Sequence, residues 1–377
     1  MALRTGTANL PLHGGRAPAW LFQRMSALAP AVVEVLVIEH GPAEVLRRLS
    51  DPWWFQAFGC VLGFDWHSSG VTTTVCGALK AGLAGREADV GIWVAGGKGR
   101  HSRLTPQELL ETAGDLGLDG PALVHASRMA AKVDSSAVQD GFDLYHHSFF
   151  LTRAGGWAVV QQGMRDRDGS ARRYHWLGER VEDFVSEPHA AVASDTGGEA
   201  VLNLVAAESD GVRRASAELA RWEPDKVVQE ARRVRETALE MPRRHWIDPA
   251  RDVDPTRLRK AMLSTYAAAP RGFEELLAVP GVGAKTRRAL ALLAELTHGE
   301  VASVRDPARF SFAHGGKDGT PFPVDRATYD RTIAWLREAV NSSKLGHSER
   351  VRPIYERLGI IPEVASGLQA TDLTTEG

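Results

Sequence analysis

Polar residues of this sequence crowd into a few short segments, and their types suit hydrolysis of a phosphate ester. Residues 64–70, Phe-Asp-Trp-His-Ser-Ser-Gly, set Asp65 and His67 two positions apart, so in extended backbone both side chains share a face. Lys132, Asp140 and Asp143 lead into residues 142–152, FDLYHHSFFLT, which carry His146 and His147. Strand alternation puts Asp143, Tyr145, His147 and Phe149 on one face and Leu144, His146, Ser148 and Phe150 on the other, unless a bulge intervenes. Carboxylate and imidazole donors bind divalent metals. Asp140, Asp143, His146 and His147 are therefore expected to hold one, Mg²⁺ or Mn²⁺ first, with Zn²⁺ as the alternative. Asp65, His67, Asp140 and His147 would act as ligands or general base, and Lys98 or Lys132 would steady charge on the phosphorane. The competing structural reading is a set of buried polar residues satisfied by backbone.

A second segment suggests the substrate. Residues 276–296, LLAVPGVGAKTRRALALLAEL, read as an apolar helix end, a Pro280-Gly281-Val282-Gly283 turn and a second helix. That is the pattern of a helix-hairpin-helix, a DNA-backbone binder. Gly281 and Gly283 permit positive φ and close approach of the backbone to a phosphate. The amides opening the second helix would point at that phosphate. Lys285, Arg287 and Arg288 add charge beside it, and Thr286 adds a hydroxyl. Such contacts position a backbone without reading its sequence. The plain alternative is a glycine turn between two core helices. Residues 95–101, AGGKGRH, fail as a P-loop because Gly97 occupies the lysine position, but still offer a basic glycine turn to a phosphate.

The elements that must position these groups divide the chain. Asp89 to Ala95 reads as a buried strand, 142–152 and 157–164 as a hairpin, and 174–177 and 190–194 as further strands, interleaved with helices. Residues 10–30 read as turn-rich, and 31–40 fit a helix or a strand. Asp51-Pro52 opens a helix, and Thr105 to Glu108 forms a capping sequence. An α/β or α+β domain with a central β-hairpin is expected over 1–205. A helical connector follows at 206–256, then an all-α helix-hairpin-helix domain at 257–362 and a frayed tail at 363–377. With 45 Lys+Arg against 47 Asp+Glu in 377 residues, the charge of −2 excludes coating of nucleic acid by bulk charge. Two cysteines exclude a disulfide scaffold. No apolar run approaches the roughly 18 residues of a membrane span, so no membrane partner and a cytoplasmic location are expected. The ten tryptophans require buried sites.

Two known patterns bear on the chemistry. An acid ahead of a hairpin resembles the restriction-type nuclease core; Gln161 fits its Glu/Gln position, while Gly163 stands where that core has Lys. The turn at 280–283 also resembles the endonuclease-III-type glycosylases. That resemblance implies Lys285 and Asp306 as the reacting pair, although the Val-Asp-Thr-His wording and the cysteine cluster are absent. Taken together, residues 4–21, 55–80, 140–176 and 312–330 resemble the DUF763 family, a group of bacterial and archaeal proteins, over about 4–360. The resemblance implies no particular activity. The reading favoured is a metal-dependent nuclease acting on DNA, alone or as a homodimer and beside other repair proteins. A glycosylase or a non-enzymatic DNA-binding adaptor are the alternatives.

Overall fold

In a computed structural model, the residues described are 18–64, 70–167, 169–194, 201–236 and 252–308. They form an α+β structure. The expected turn-rich start is instead helical from Ala19: α1 runs Ala19–His40 through Pro30. Proline here leaves the Ser26 carbonyl without its helical donor, and both Ser26 and Pro30 press on Gly82, where a Cβ would collide. α1 is long and apolar enough to cross a membrane by length and composition, contrary to expectation. Even so, Met25, Ala29 and Val33 are fully buried, as in a core helix. α2 (Pro42–Leu49), α3 (Pro52–Val61) and α4 (Gly70–Leu83) complete this layer. As anticipated, Asp51 caps α3 by accepting from the amides of Trp53 and Trp54.

After the short α5 (Glu87–Val90) comes β1 (Ile92–Lys98), and then α6 (Thr105–Leu116) and α7 (Gly120–Lys132). Glu108 does not close a capping box. It accepts from Lys80 and from the Gly96 amide, tying α4, α6 and β1 together. A single π-helical turn, Val133–Ala137, extends α7 into β2 (Val138–Gln139). The expected hairpin is β3 (Asp143–Thr152) and β4 (Trp157–Arg165), followed by β5 (Ser170–Leu177), β6 (Ala191–Ser194) and β7 (Leu202–Asn203). Five strands form an antiparallel sheet in the order β1-β3-β4-β5-β6, while β2 and β7 pair separately.

Both faces of the sheet are covered. Phe150, Ala158, Val160 and Leu177 join α1 to α4 in one core. Phe149, Leu151, Val159 and Trp176 face the other, which holds α6, α7 and the later helices. Those are α8 (Asp210–Leu219), α9 (Pro224–Glu236), α10 (Pro255–Ala268), α11 (Phe273–Ala278) and α12 (Ala284–His298). One hydrophobic cluster therefore runs from β3 to α12, across residue 205. Each fully buried Leu or Phe in it contributes about 1.5–3 kcal/mol. Because β5 is buried along its whole length, every polar side chain on it needs an internal partner.

Candidate functional site

The strands present several polar side chains to the second core, and there they form a chain of hydrogen bonds. His147 on β3 lies directly across from Gln161 on β4. Its Nδ1 is 2.7 Å from Gln161 Oε1, and its Nε2 is 2.9 Å from Ser127 Oγ on α7. Gln161 Nε2 donates to Asp134 Oδ2 at 2.5 Å. Asp134, on the π-helical turn, also accepts from Trp176 Nε1 at 2.9 Å, and its Oδ1 lies 2.5 Å from His189 Nε2.

The chemistry of these groups fixes the direction of the bonds. Trp176 can only donate, and a carboxylate can only accept, so the Gln161 amide nitrogen faces Asp134 and its oxygen faces His147. His147 must then carry its proton on Nδ1. Its Nε2 is left as an acceptor, and the Ser127 hydroxyl donates to it. Burial pulls the His147 pKa below its ordinary value, even though Gln161 and Asp134 pull the other way. A neutral, oriented imidazole beside a hydroxyl is the arrangement of a general base.

Ser127, His147 and Gln161 line an open cavity of about 200 Å³, together with Ser102, Arg103, Arg128, Tyr145 and His146. That is smaller than the roughly 300–1,000 Å³ of most small-molecule sites, so it suits a single functional group. Arg103 and Arg128 are exposed and make no ion pair or hydrogen bond among the described residues. Lys98 stands at the same edge, with Nζ 5.7 Å from the Tyr145 ring centre.

The predicted site residues are dispersed more widely than the sequence suggested. Asp140, Asp143, His146 and His147 do not converge, and among the described residues no three His, Cys, Asp or Glu side chains gather as metal ligands. Asp140 is committed to Arg172 Nη1 at 2.8 Å and Tyr174 Oη at 2.7 Å. Arg172 in turn binds Asp306 at 2.7 Å. Burial opposes the Arg172 charge, but Asp140, Tyr174 and Asp306 outweigh it and hold its pKa above the ordinary value. Asp306, the proposed partner of Lys285, is thus already engaged. Asp143 is exposed at the start of β3. A bulge between Leu144 and His146 breaks the alternation, and Tyr145 accepts from Gln162 rather than following His147. His146 faces the first core, where its Nε2 meets Ser148 Oγ at 3.0 Å and burial drives its pKa to about 3. Asp65 and His67 lie outside the described residues.

Two further expectations are corrected. At Gly163 an added Cβ would lie 2.8 Å from Phe142 Cβ, so the lysine slot of the restriction-type pattern is closed. The glycines of 95–101 do not form a loop. Gly96 and Gly97 pair with Ser148 and His147 as the end of β1, and a Cβ on Gly96 would strike the His147 carbonyl.

At the α11–α12 turn, Gly281 takes φ +82°, and Gly283 caps α12 without a side-chain hydrogen bond. Pro280, Gly281, Gly283 and Lys285 are exposed, and Thr286 is half-buried. Val282 is buried in the second core. Arg287 is not available to a phosphate: it is 1% exposed and donates to Ser136 Oγ and the Leu277 carbonyl. Arg288 is turned inward to Gln139 and Asp252 at 2.9 and 2.7 Å. Lys132 donates to the same Leu277 carbonyl at 2.7 Å, at the C-terminal end of α11, where a cation is favoured. Ser127 and His189 carry no signal in the sequence, and Asp134 is marked only as an acid directly after an apolar helical run.

With the geometry established, comparison with known proteins adds the family. A model described as "Protein of unknown function (DUF763)" matches residues 6–324. The chain belongs to the DUF763 family. No curated protein and no solved structure matches it. All of the described residues of this DUF763 chain, the Ser127–His147 cavity and the α11–α12 turn included, fall inside the matched span.

Proposed function

We propose that this protein is a DNA-processing enzyme. It holds a phosphate backbone on the helix-hairpin-helix turn between α11 and α12 and hydrolyses a phosphodiester in the Ser127–His147 cavity. The observation that carries this reading is the His147 imidazole. Its tautomer is set by Gln161 and Asp134, and it lines an open cavity edged by two exposed arginines that have no partner among the described residues. His147 acts as general base, Arg103 and Arg128 attract the phosphate, and Lys98 adds charge at the rim. The turn contributes backbone contacts from Gly281 to Gly283 and the exposed cation of Lys285.

The test is cleavage of labelled single-stranded, duplex and branched DNA, with Mg²⁺, Mn²⁺, Zn²⁺ or chelator. Product is expected from at least one substrate, falling about 100-fold or more in His147→Ala. Absence of cleavage under every condition, or cleavage unchanged in His147→Ala, rejects the reading. Binding without turnover, lost on Lys285→Ala, would favour the non-enzymatic adaptor instead.

A further inference from the structure

We infer that Ser127 is a covalent nucleophile, and that the cavity it lines accepts the phosphate group of a phosphodiester between Arg103 and Arg128. The inference rests on the proposed DNA-processing function for the identity of the ester. Three independent features support it. The Ser127 hydroxyl donates to His147 Nε2 at 2.9 Å, so its proton already points at the group that would take it. His147 is braced through Gln161 onto Asp134, which is itself anchored by Trp176 and His189. Nucleophile, base and orienting groups thus form one unbroken series from α7 to the floor of the sheet. Finally, this buried series meets the surface where Arg103 and Arg128 stand exposed, with no ion pair or hydrogen bond among the described residues. Arg128 is the residue after Ser127, so the charge and the hydroxyl are carried by the same helix.

In the first step Ser127 Oγ attacks phosphorus, and the bond from phosphorus to the leaving oxygen breaks. The hydroxyl proton passes to His147 Nε2 and from there to the leaving oxygen, releasing an alcohol. In the second step His147 takes a proton from water, whose oxygen bonds to phosphorus. The phosphorus–Oγ bond breaks, and the proton returns to Ser127. The sum is phosphodiester plus water to phosphomonoester plus alcohol, and it needs no oxidant or further reactant. His146 lines the same cavity, and its Nδ1 lacks a hydrogen-bond partner among the described residues.

The experiment uses the full chain and bis(4-nitrophenyl) phosphate. Nitrophenolate release is followed from pH 5 to 9, and acid-quenched protein is digested and mapped by mass spectrometry. A nitrophenyl phosphate adduct on Ser127 is expected, absent in Ser127→Ala. Release should fall about 1,000-fold in Ser127→Ala and His147→Ala. Arg128→Ala should raise KM about 10-fold with kcat little changed, and Arg128→Lys should recover part of the loss. Because burial lowers the His147 pKa from its ordinary value, the fall in rate should come at more acid pH than an ordinary imidazole would give. Circular dichroism of each variant separates loss of chemistry from loss of fold, and Ser127→Cys supplies a second nucleophile for mapping. No adduct on residue 127 in either the wild type or the Cys variant, or release unchanged in Ser127→Ala, overturns the inference. Two outcomes separate it from the broader reading. His147-dependent DNA cleavage that survives Ser127→Ala removes the nucleophile and keeps the enzyme. Ser127-dependent release without DNA binding or cleavage keeps the nucleophile and removes DNA as its substrate.

Discussion

His146 and His147 are neighbours in one strand, yet the two faces of the sheet treat them differently. On the second-core face both nitrogens of His147 are engaged, and its partners lead on to Asp134. On the first-core face His146 Nδ1 and His175 Nε2 have no hydrogen-bond partner among the described residues, although both side chains are buried. The difference shows that burial alone makes a histidine merely neutral. A series of partners with fixed donor and acceptor roles makes it a directed base. Two adjacent and chemically identical residues therefore differ in what they can do, and the sheet's alternation decides which is which.

That contrast can be broken experimentally at its strongest point. Asp134→Ala would strand Gln161, Trp176 and His189 without their acceptor, and a loss of about 3–5 kcal/mol is expected by urea denaturation. A loss under about 1 kcal/mol would mean that the second-core face is not held together by this carboxylate. Next is the neighbouring ion pair. Arg172→Met leaves Asp140 buried without its cation and should cost about 3 kcal/mol, while Arg172→Met with Asp140→Leu should restore most of it. Double and single variants of equal stability would show that the pair is not coupled.

Acid tests the opposite face. Burial holds His146 near 3 and His175 well below its ordinary value, against about 6.5 in the unfolded chain. The unfolded state thus binds more protons as pH drops. The associated stability is complete above about 6.5 and is lost progressively toward about 3. His146→Gln should shrink the loss between pH 7 and 4 by at least about 1 kcal/mol, read from denaturation at each pH. Equal losses would mean that His146 is not the group taking up protons. At the α11–α12 turn the effects are smaller. Gly281→Ala, at φ +82°, should cost about 1–2 kcal/mol by denaturation. Lys285→Ala should change stability by less than about 0.5 kcal/mol. It should also lower the slope of log affinity for duplex DNA against log salt by about one, as measured by anisotropy titration. An unchanged slope would leave Lys285 out of the contact.

Much of the sheet was legible in the sequence because period-two alternation and turn residues are local signals. The hairpin, β5 and β6 all lie where residues 142–164, 174–177 and 190–194 pointed. His147 and Gln161 were identifiable as polar residues in an otherwise apolar hairpin. Their partners were not. Ser127 and Trp176 come from distant elements, and a serine inside an amphipathic helix carries no mark of what lies opposite. Arginines misled for the same reason. Arg287 and Arg288 sit beside a glycine turn in sequence, but helical spacing turns Arg287 into the core and Arg288 toward Asp252. The adjacency of Asp140, Asp143, His146 and His147 suggested a common ligand set, but Arg172 holds the first and the sheet separates the last two.

The π-helical turn at Val133–Ala137 also has a consequence for the order of assembly. It supplies Asp134 to the relay and Ser136 to Arg287, 151 positions further along the chain. Lys132 reaches Leu277 across 145 positions, and Arg172 reaches Asp306 across 134. A nascent chain can pair β3 with β4 early, since that contact is local. Several supports around the relay are still missing until α11, α12 and the segment to Asp306 have been made, and closing such distant contacts is slow. Nascent chains stalled before α11 should therefore carry the sheet and the His147–Gln161 pair, but lack the contacts from Leu277 and Arg287 that hold Lys132 and Ser136 beside Asp134.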